Sequence, residues 1–405
     1  MLPSVKQMNR KVMREVNQNT VLNLVRLHAP VSRTQLVALS GLSVGTIVGI
    51  TSELLKQELV IEEGIASSRV GRKAGLLNLH PKGGYVIGLS LVEEDTIAAV
   101  LLNLRGEVIF SKSWQMPLRD CGSEVVPRIA QGVEAFISEC AVPREKILGI
   151  GCGLPGYVNA DTGYSIDNAI HHWHHLSIVE PLSQLLALPA YVDNIMNGLG
   201  SYEKLYGRGE QYRHFLVVTL GRGVGMAMIL HGELYRGAFG GGGEFGHIIC
   251  IPDGRLCECG KYGCLEAYLA NKGLIQSYQE LRQGDAGDAQ DVLTLADLAL
   301  LAREGDTQAQ QIFTQAGRFL GRHLATLVNL FNPECIILTG VDMQSHELMF
   351  DEMRSTLASS TFSSLSEPLS LVIEPVEDIR WAQGAGCLVL QRFFGSPLEI
   401  EAPAS

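Results

Sequence analysis

The stretch from Gly240 to Glu266 places three thiols, an imidazole and two carboxylates in one short segment, GGGGEFGHIICIPDGRLCECGKYGCLE. Cys257, Cys259 and Cys264 form a C-x-C-x4-C cluster, and His247 stands ten residues before the first of them. Three thiolates and one imidazole are a closed tetrahedral donor set, which is typical of structural rather than catalytic zinc. The alternative is a group of buried free thiols, but two glycines between the second and third cysteine, where the chain must turn, favour the metal. We therefore predict a structural Zn2+ site.

Two carboxylates frame this cluster. Glu244 lies three residues before His247, and Glu266 lies two residues after Cys264. Ionised carboxylates accept charge-assisted hydrogen bonds from hydroxyl groups, so a fixed pair beside an imidazole suits a polyhydroxylated ligand. Taken singly, each is an ordinary solvated carboxylate. Their placement around one loop favours a sugar pocket, and we predict Glu244, His247 and Glu266 as sugar ligands.

The charge is distributed unevenly along the 405 residues, a length that allows two or three domains. Residues 1–80 carry ten Lys or Arg against five Glu and no Asp, a net +5, although the whole chain has a net charge of −11. A basic head on an acidic body indicates a phosphate-contacting module. The sequence has no apolar run of ~20 residues and no signal-peptide pattern, so we predict a cytoplasmic protein without membrane insertion. Nine cysteines with a thiolate metal site fit a reducing compartment.

Residues 1–80 predict a winged helix-turn-helix domain. A first helix ends at Pro30, a second covers Arg33–Ser40, and Gly41 makes the turn to a third helix with Ser43 as its N-cap. We expect the first helix to carry Val21, Leu24, Val25 and His28 on one face. We expect the third helix to bury an apolar face formed by Val44, Ile47, Val48, Ile50, Leu54 and Leu55. Two strands, 59–63 and 76–79, then enclose a basic wing loop. A small helical domain that mediates protein contacts is the alternative interpretation.

Double-stranded DNA is the predicted partner of this head. The predicted DNA-binding residues are Arg33, Ser43, Thr46, Ser52, Arg69, Arg72 and Lys73. Gly45 and Gly49 lie on the presumed groove-facing side of the third helix and offer no base contacts, and the hydroxyls beside them are poor material for bidentate readout. We therefore expect the wing cations to contribute much of the affinity, with Arg72 suited to a narrow A·T minor groove.

Beyond residue 80, apolar strands alternate with helices, which predicts an α/β body. The predicted strands include 85–91, 96–104, 147–153, 188–193 and 215–220, with the start of a further strand at 107–111. The four histidines at 171, 172, 174 and 175 resemble a metal tract, but we interpret them as an exposed loop.

The order G-E-F-G-H followed by C-x-C-G-x-x-G-C-x-E resembles the signature of the ROK family, which contains bacterial sugar kinases and sugar-responsive repressors. The resemblance covers essentially the whole body and extends to the winged domain of the repressors. It implies a two-lobed, ribonuclease-H-like body of the actin and sugar-kinase type. We predict a winged domain at 1–80, a first α/β lobe at 81–198 with a C-terminal return at 382–400, and a second lobe with the zinc loop at 199–381.

The same resemblance separates sugar binding from phosphoryl transfer. Gly153 to Gly156 matches the family's loop under the sugar, and Asn168 with Trp173 resembles its N-x-x-x-W element with one extra residue. The resemblance thus implies Gly156, Asn168 and Asn194 as further sugar ligands. Family kinases open with G-x-D-x-G-G-T, where this chain has Ser90 in place of the Asp and acidic residues at 93–95 in the phosphate-facing turn.

The catalytic base is also missing. Family kinases carry it as the Asp of N-D-A-N, where this chain reads Asn194-Ile195-Met196-Asn197. Asp193 is one position early, and we interpret it as a structural carboxylate. The adjacent isoleucine has no group that accepts a proton from a sugar hydroxyl.

We therefore predict a sugar-responsive DNA-binding regulator of the repressor type, not an enzyme. Its expected partners are operator DNA, a sugar or sugar-derivative effector, and a second copy in a homodimer or dimer of dimers. The main alternative is an ATP-dependent sugar kinase with an added DNA-binding head. A further alternative is a sensor whose signal is a partner protein that docks on the body.

Overall fold

The computed structural model describes residues 10–65, 75–92, 95–282 and 294–395. The chain divides into two compact units: Met1–Gly198 together with Trp381–Ser405 form the first, and Leu199–Arg380 forms the second. Each unit has its own five-stranded sheet and its own hydrophobic core.

The N-terminal head of the first unit is a winged helix-turn-helix, as predicted. Its helices are α1 (Arg10–His28), α2 (Arg33–Ser40) and α3 (Val44–Lys56), and its strands are β1 (Val31–Ser32), β2 (Val60–Ile65) and β3 (Gly75–Leu79). The three strands form an antiparallel sheet in the order β1-β3-β2. The tip of the predicted wing, with Arg69, Arg72 and Lys73, lies outside the described residues.

Local capping explains where the two helices of the turn begin and end. The Ser32 hydroxyl accepts the backbone N–H of Gln35, and the Gln35 side chain accepts the backbone N–H of Ser32, which is a capping box. Gly41, at φ +69°, ends α2 in the left-handed region that glycine tolerates best. The Ser43 hydroxyl accepts the backbone N–H of Thr46 and caps α3, as predicted.

The buried face of α3 differs from the prediction. Ile47, Ile50, Thr51 and Leu54 are buried, but Val44 and Val48 are 65% and 46% exposed. At 3.6 residues per turn these two valines lie roughly 70–110° around the helix from the centre of the buried stripe. The expectation that they pack inward was wrong because a buried threonine completes the stripe in their place. His28, also expected on a packed face, is exposed at the last position of α1.

The body of the first unit is a mixed sheet covered by helices. Its elements are β4 (Tyr85–Ser90), β5 (Thr96–Asn103), β6 (Val108–Gln115), α4 (Val125–Glu139), β7 (Ile147–Leu154), β8 (Tyr157–Asn159), β9 (Tyr164–Asn168), β10 (Trp173–Ser177), α5 (Val179–Leu186), β11 (Ala190–Asn194) and the start of α6 (Ile195–Tyr206). The main sheet has the order β11-β7-β4-β5-β6, and β8, β9 and β10 form a small antiparallel sheet. A Cβ at Gly88 or Gly151 would collide with the backbone of the C-terminal helix. That helix therefore packs directly on the sheet.

The second unit repeats this strand arrangement. Its elements are β12 (Phe215–Leu220), β13 (Val224–Leu230), β14 (Glu233–Leu234), α7 (Glu266–Leu269), α8 (Asn271–Arg282), α9 (Leu295–Arg303), α10 (Thr307–Phe331), β15 (Cys335–Gly340), α11 (Met343–His346), α12 (Phe350–Ser360) and β16 (Ser370–Pro375); α13 (Ile379–Phe394) follows and belongs mainly to the first unit. The sheet order is β14-β13-β12-β15-β16.

In each unit, a meander of three antiparallel strands is followed by two strands parallel to the first. This duplicated topology is the one expected from the sequence. Among the described residues, no single helix is long and apolar enough to cross a membrane; the bent pair α2 and α3 meets that test only jointly, on length and composition.

Candidate metal centre and nucleic-acid interface

The four predicted metal ligands come together in the second unit. The ligand atoms of His247, Cys257, Cys259 and Cys264 all lie within 4.8 Å of one another. The Cys257 Sγ is 3.7 Å from the His247 Nδ1, and the Cys259 Sγ is 3.6 Å from the Cys264 Sγ. Metal–ligand distances of about 2.3 Å for sulfur and 2.1 Å for nitrogen in a tetrahedron put neighbouring ligand atoms roughly 3.6–3.8 Å apart. The donor set and its spacing therefore fit a tetrahedral zinc ion.

Tight turns bring the three cysteines to one point. The Gly260 N–H donates to the Cys257 carbonyl and closes a turn within the C-x-C segment. Gly263 has φ +80°, and a Cβ there would collide with the carbonyl oxygen of Ile251. Only glycine therefore fits at this position. Bridges pair Ile249 with Cys264 and Leu256 with Tyr262, so the loop returns on itself as an irregular hairpin.

Arg255 fastens this loop to α8, a role that the sequence analysis missed. Its guanidinium donates to the carbonyls of Ala267 and Gly273 at 2.6 and 2.9 Å, and to Ser277 and Glu280 at 3.0 and 2.6 Å. Its side chain is only 11% exposed, and the guanidinium lies 4.9 Å from the centroid of the Tyr268 ring. An arginine in a polar loop has no periodic signal, and only its partners in space reveal the contact.

The thiols need a cation to ionise in this setting. Burial raises the pKa of the Cys257 thiol, and burial likewise raises the pKa of the Cys264 thiol. Thiolates are the species that bind zinc. Without a positive charge among them, these thiols stay protonated at neutral pH, so metal binding and thiol ionisation are coupled.

The two framing carboxylates lie beside the predicted metal ligands. The Glu266 Oε2 accepts the Val224 backbone N–H at 2.9 Å, and its Oε1 lies 3.7 Å from the Cys257 Sγ. The Glu244 carboxylate lies 3.8 Å from the His247 Nε2. Burial raises the pKa of the Glu244 carboxyl, His247 opposes the rise and Glu266 adds to it. Because 49% of this side chain is exposed, solvent limits the rise. The second unit thus holds two carboxylates at the edges of one imidazole.

The predicted sugar ligands of the first unit also lie close to one another. The Asn194 amide donates to the Gly156 carbonyl at 2.8 Å. Gly156 has φ +79°, and a Cβ there would lie 3.0 Å from the Asn168 Cα. Asn168 is fully buried, and its side-chain oxygen accepts the His171 backbone N–H. Its amide nitrogen has no hydrogen-bond partner among the described residues.

Ile195 stands at the position where the resemblance to family kinases predicts the catalytic base. Ile195 begins α6 and is 7% exposed, and it packs against Gly153. The neighbouring Asp193 is buried, and its carboxylate accepts the Asn194 backbone N–H and the Asn197 amide at 2.8 and 2.7 Å. Asp193 is therefore a structural carboxylate at the start of α6, as predicted. Ser90 is buried at the end of β4, and residues 93 and 94 lie outside the described residues.

The histidine tract is not wholly exposed. His172, His174 and His175 are exposed as expected, but His174 and His175 lie in β10 rather than in a loop, and His171 is fully buried. Its Nε2 lies 2.8 Å from the Leu91 carbonyl oxygen, and its ring lies 4.8 Å from the Trp173 ring. The expectation failed for this residue because it alternates with Trp173 on the inward side of the turn into β10.

In the head, the predicted DNA contacts are held by local bonds. Arg33 pairs with Glu62 at 2.8 Å and donates to the Thr51 hydroxyl at 3.0 Å. The Ser43 and Thr46 hydroxyls lie 2.8 Å apart, and the Ser52 hydroxyl donates to the Val48 carbonyl at 2.8 Å. Of these residues, Ser43 and Ser52 are exposed and Thr46 is half-buried. Their DNA contacts stay predictions.

The head is also fastened to the rest of the first unit. Arg105, in the turn between β5 and β6, donates twice to the Leu79 carbonyl, at 2.6 and 3.0 Å, and pairs with Glu63 at 3.3 Å. Lys146 pairs with Glu58 at 2.8 Å. The position of the head is thus set by specific polar contacts as well as by the chain connection.

Comparison with known proteins agrees with this architecture. A xylose repressor of Bacillus subtilis is 28% identical over 381 residues, which cover 94% of this chain and 96% of the repressor. The crystal structure of a ROK family transcriptional regulator, a homologue of the Escherichia coli Mlc protein, has a TM-score of 0.83 and 26% identity over 94% of this chain and 97% of that chain.

A ROK family glucokinase from Streptomyces griseus, solved with glucose and AMPPNP, has a TM-score of 0.62 and 25% identity. The match covers 75% of this chain and 99% of the glucokinase chain. The comparisons confirm the predicted fold and the predicted kind of protein, a sugar-responsive transcriptional repressor. The ROK family model matches residues 93–392, and the chain belongs to the ROK family.

Proposed function

We propose that this ROK protein represses transcription by binding operator DNA through residues 1–80 and that its kinase-like body binds a sugar without phosphorylating it. One observation carries the proposal: the repressor and the regulator match nearly the whole chain, whereas the glucokinase leaves about a quarter of it unmatched. The match to the regulator extends over the winged helix-turn-helix as well as the kinase-like body. A DNA-binding domain added to a kinase-like body is the arrangement expected of a regulator.

The effector is a sugar or sugar derivative. In the second unit, Glu244 and Glu266 offer acceptors for hydroxyl groups, His247 offers the N–H of its remaining ring nitrogen as a donor, and the Val224 N–H holds the Glu266 carboxylate in place. In the first unit, Gly156, Asn168 and Asn194 offer amide and carbonyl groups. The orphan amide nitrogen of Asn168 supports a ligand role, because a buried donor without a partner is unfavourable.

A structural zinc ion fits the second unit. His247, Cys257, Cys259 and Cys264 would hold it, and it would supply the positive charge that keeps three thiols ionised and the loop folded. The ring of His247 then orients its remaining nitrogen toward Glu244, so metal binding fixes a proposed sugar ligand.

The head contacts DNA as part of a symmetric dimer. The wing cations Arg69, Arg72 and Lys73 are proposed to bind phosphates and the minor groove, while α3 lies in the major groove with Ser43, Thr46 and Ser52 near the bases. Operators are then near-palindromic, with half-sites separated by whole helical turns. Arg33 contributes by holding the sheet of the wing against α3 through Glu62 and Thr51.

The proposal that the body does not phosphorylate its sugar rests on Ile195. A buried isoleucine offers no lone pair to a sugar hydroxyl, and the nearby Asp193 is committed to Asn194 and Asn197. Purified protein is expected to release no ADP above background with hexoses, pentoses or amino sugars. Sugar-dependent ADP release would favour the competing function, an ATP-dependent sugar kinase.

A thermal-shift screen tests the sugar site. Unphosphorylated and phosphorylated hexoses, pentoses and amino sugars are added to purified protein, and a ligand that binds only the folded state raises the melting temperature. Glu266→Gln is expected to abolish the shift. Glu258→Gln is the matched control, because Glu258 lies in the same loop but is exposed and, within the part of the chain that the structure describes, pairs only with Lys272. A shift that survives Glu266→Gln would remove this carboxylate from the site.

A further inference from the structure

Two apolar side chains lie on the outer surface of α3, where a DNA-binding helix normally carries polar groups. Val44 and Val48 are one helical turn apart and are 65% and 46% exposed. No other branched aliphatic side chain of α3 is exposed in the described structure; Ile47, Ile50 and Leu54 are buried and Leu55 is half-buried. Val44 is mostly exposed and Val48 is about half exposed, so neither belongs to the buried core of the head.

The hydroxyl groups on the same helix are already engaged. The Ser43 and Thr46 hydroxyls bond each other at 2.8 Å, and the Ser52 hydroxyl gives its proton to the Val48 carbonyl. Each keeps acceptor capacity, but Ser52 and one member of the Ser43–Thr46 pair already donate their protons, so only one of these three hydroxyls keeps a proton outside these bonds for a base edge. Hydrogen bonding is thus a weak basis for sequence recognition by this helix.

The surroundings of the valines allow close approach of a large partner. A Cβ at Gly49 would meet no atom within 4 Å, and one at Gly45 would meet only the Ser43 hydroxyl at 4.0 Å. Gly45 and Gly49 follow Val44 and Val48 directly in the sequence, so neither valine has a side chain at the next position that shields it. A groove floor can therefore reach the valine methyl groups without displacing neighbouring residues.

The charge of the head specifies the class of partner. Residues 1–80 carry a net +5 within a chain whose total charge is −11, which favours a polyanionic partner such as DNA over a neutral or basic surface. In the major groove, the thymine C5-methyl is the apolar group that base edges display, and apolar side chains recognise it. A pair of exposed valines on a basic helix-turn-helix matches that feature.

We infer that Val44 and Val48 contact thymine C5-methyl groups in the operator and that this chain reads part of its sequence through apolar contacts. The inference rests on the proposed function, because it requires that α3 enter the major groove. Each contact removes about one methyl group of the valine and one methyl group of the thymine from water. Loss of one thymine methyl is expected to raise Kd about fourfold at a contacted position.

Replacement of thymine by deoxyuridine measures this contact, because uracil pairs with adenine but lacks the methyl group. Operator duplexes are first selected from a random pool by the full-length protein at fixed salt concentration. Each thymine of a half-site is then replaced singly, and Kd is measured by fluorescence anisotropy. Wild-type protein is expected to lose about fourfold in affinity at one or two positions per half-site.

A double-mutant cycle assigns those positions to the valines. Val44→Ala and Val48→Ala are each expected to bind thymine and uracil duplexes equally at one of the sensitive positions. Both valines are exposed, so the variants should fold, and circular dichroism checks this. Lys56→Ala, at the end of the same helix, is the control: it should weaken both duplexes alike and keep the uracil effect.

The outcomes separate the inference from the function on which it rests. A selected operator whose binding ignores uracil at every position overturns the inference and leaves the proposed function standing. A uracil effect that persists unchanged in Val44→Ala and Val48→Ala assigns the contact elsewhere and also overturns it. Failure to select any duplex overturns the proposed function, and the inference with it.

Discussion

Replacing Arg255 by Ala is expected to loosen the loop that carries the metal ligands. The guanidinium donates to the carbonyls of Ala267 and Gly273 and to the side chains of Ser277 and Glu280, and it lies over Tyr268. It therefore ties the loop to the two helices that follow it.

The size of the effect follows from the partners that are left behind. The Gly273 carbonyl keeps a second donor, the Ser277 hydroxyl at 2.8 Å, and Glu280 is half-exposed, so these two contacts contribute little. The Ala267 carbonyl loses a charged donor at 2.6 Å. That loss, together with the ring contact to Tyr268, makes local opening easier by about 3 kcal/mol.

Hydrogen exchange measured by mass spectrometry on the purified protein reports this opening. A change of about 3 kcal/mol corresponds to exchange on the order of 100-fold faster for peptides that cover residues 250–266. Lys261→Ala, an exposed change in the same loop, should leave exchange unaltered, and Arg255→Lys should give an intermediate rate because an ammonium makes fewer of these bonds. Unchanged exchange in Arg255→Ala would refute the claim that Arg255 fastens the loop.

Three further predictions concern the cysteine cluster, the contact between head and body, and a buried histidine. Elemental analysis should find about one zinc per chain in wild-type protein and in the control variant Cys121→Ser, but none in Cys264→Ser. The melting temperature of Cys264→Ser should fall by about 10 °C. Metal retention in Cys264→Ser would remove this thiol from the site. Arg105→Ala should speed limited proteolysis between head and body about tenfold, since the Leu79 carbonyl loses both donated bonds; an unchanged cleavage rate would contradict this. Burial lowers the pKa of His346, so its neutral form is favoured in the folded state. Wild-type stability should therefore fall as pH drops below about 6.5, and His346→Gln should lack this part of the loss; identical pH profiles of the melting temperature would count against it.

The fold was predictable because its signals are local. Ser43 is a preferred N-cap residue and Gly41 a preferred helix stop, and both act in those roles. The Cys/His cluster was predictable because thiols at this spacing have few other uses, and the structure brings its four residues together.

What escaped sequence reasoning depends on partners distant in the chain. Val44 and Val48 fit a helical repeat, but the repeat does not show which side of the stripe faces the core, and Thr51 takes the inward position because Arg33 donates to its hydroxyl. His171 is buried through the Leu91 carbonyl, 80 residues away.

Release of operator by free sugar is the measurement that tests the central claim most directly. A labelled operator bound to purified protein is titrated with the sugar that gives the largest thermal shift, in the absence of nucleotide, and anisotropy reports the Kd. We predict a change in operator affinity of about tenfold or more, with the sugar recovered unphosphorylated. An affinity that stays constant at saturating sugar, or that changes only when ATP is added, would contradict it.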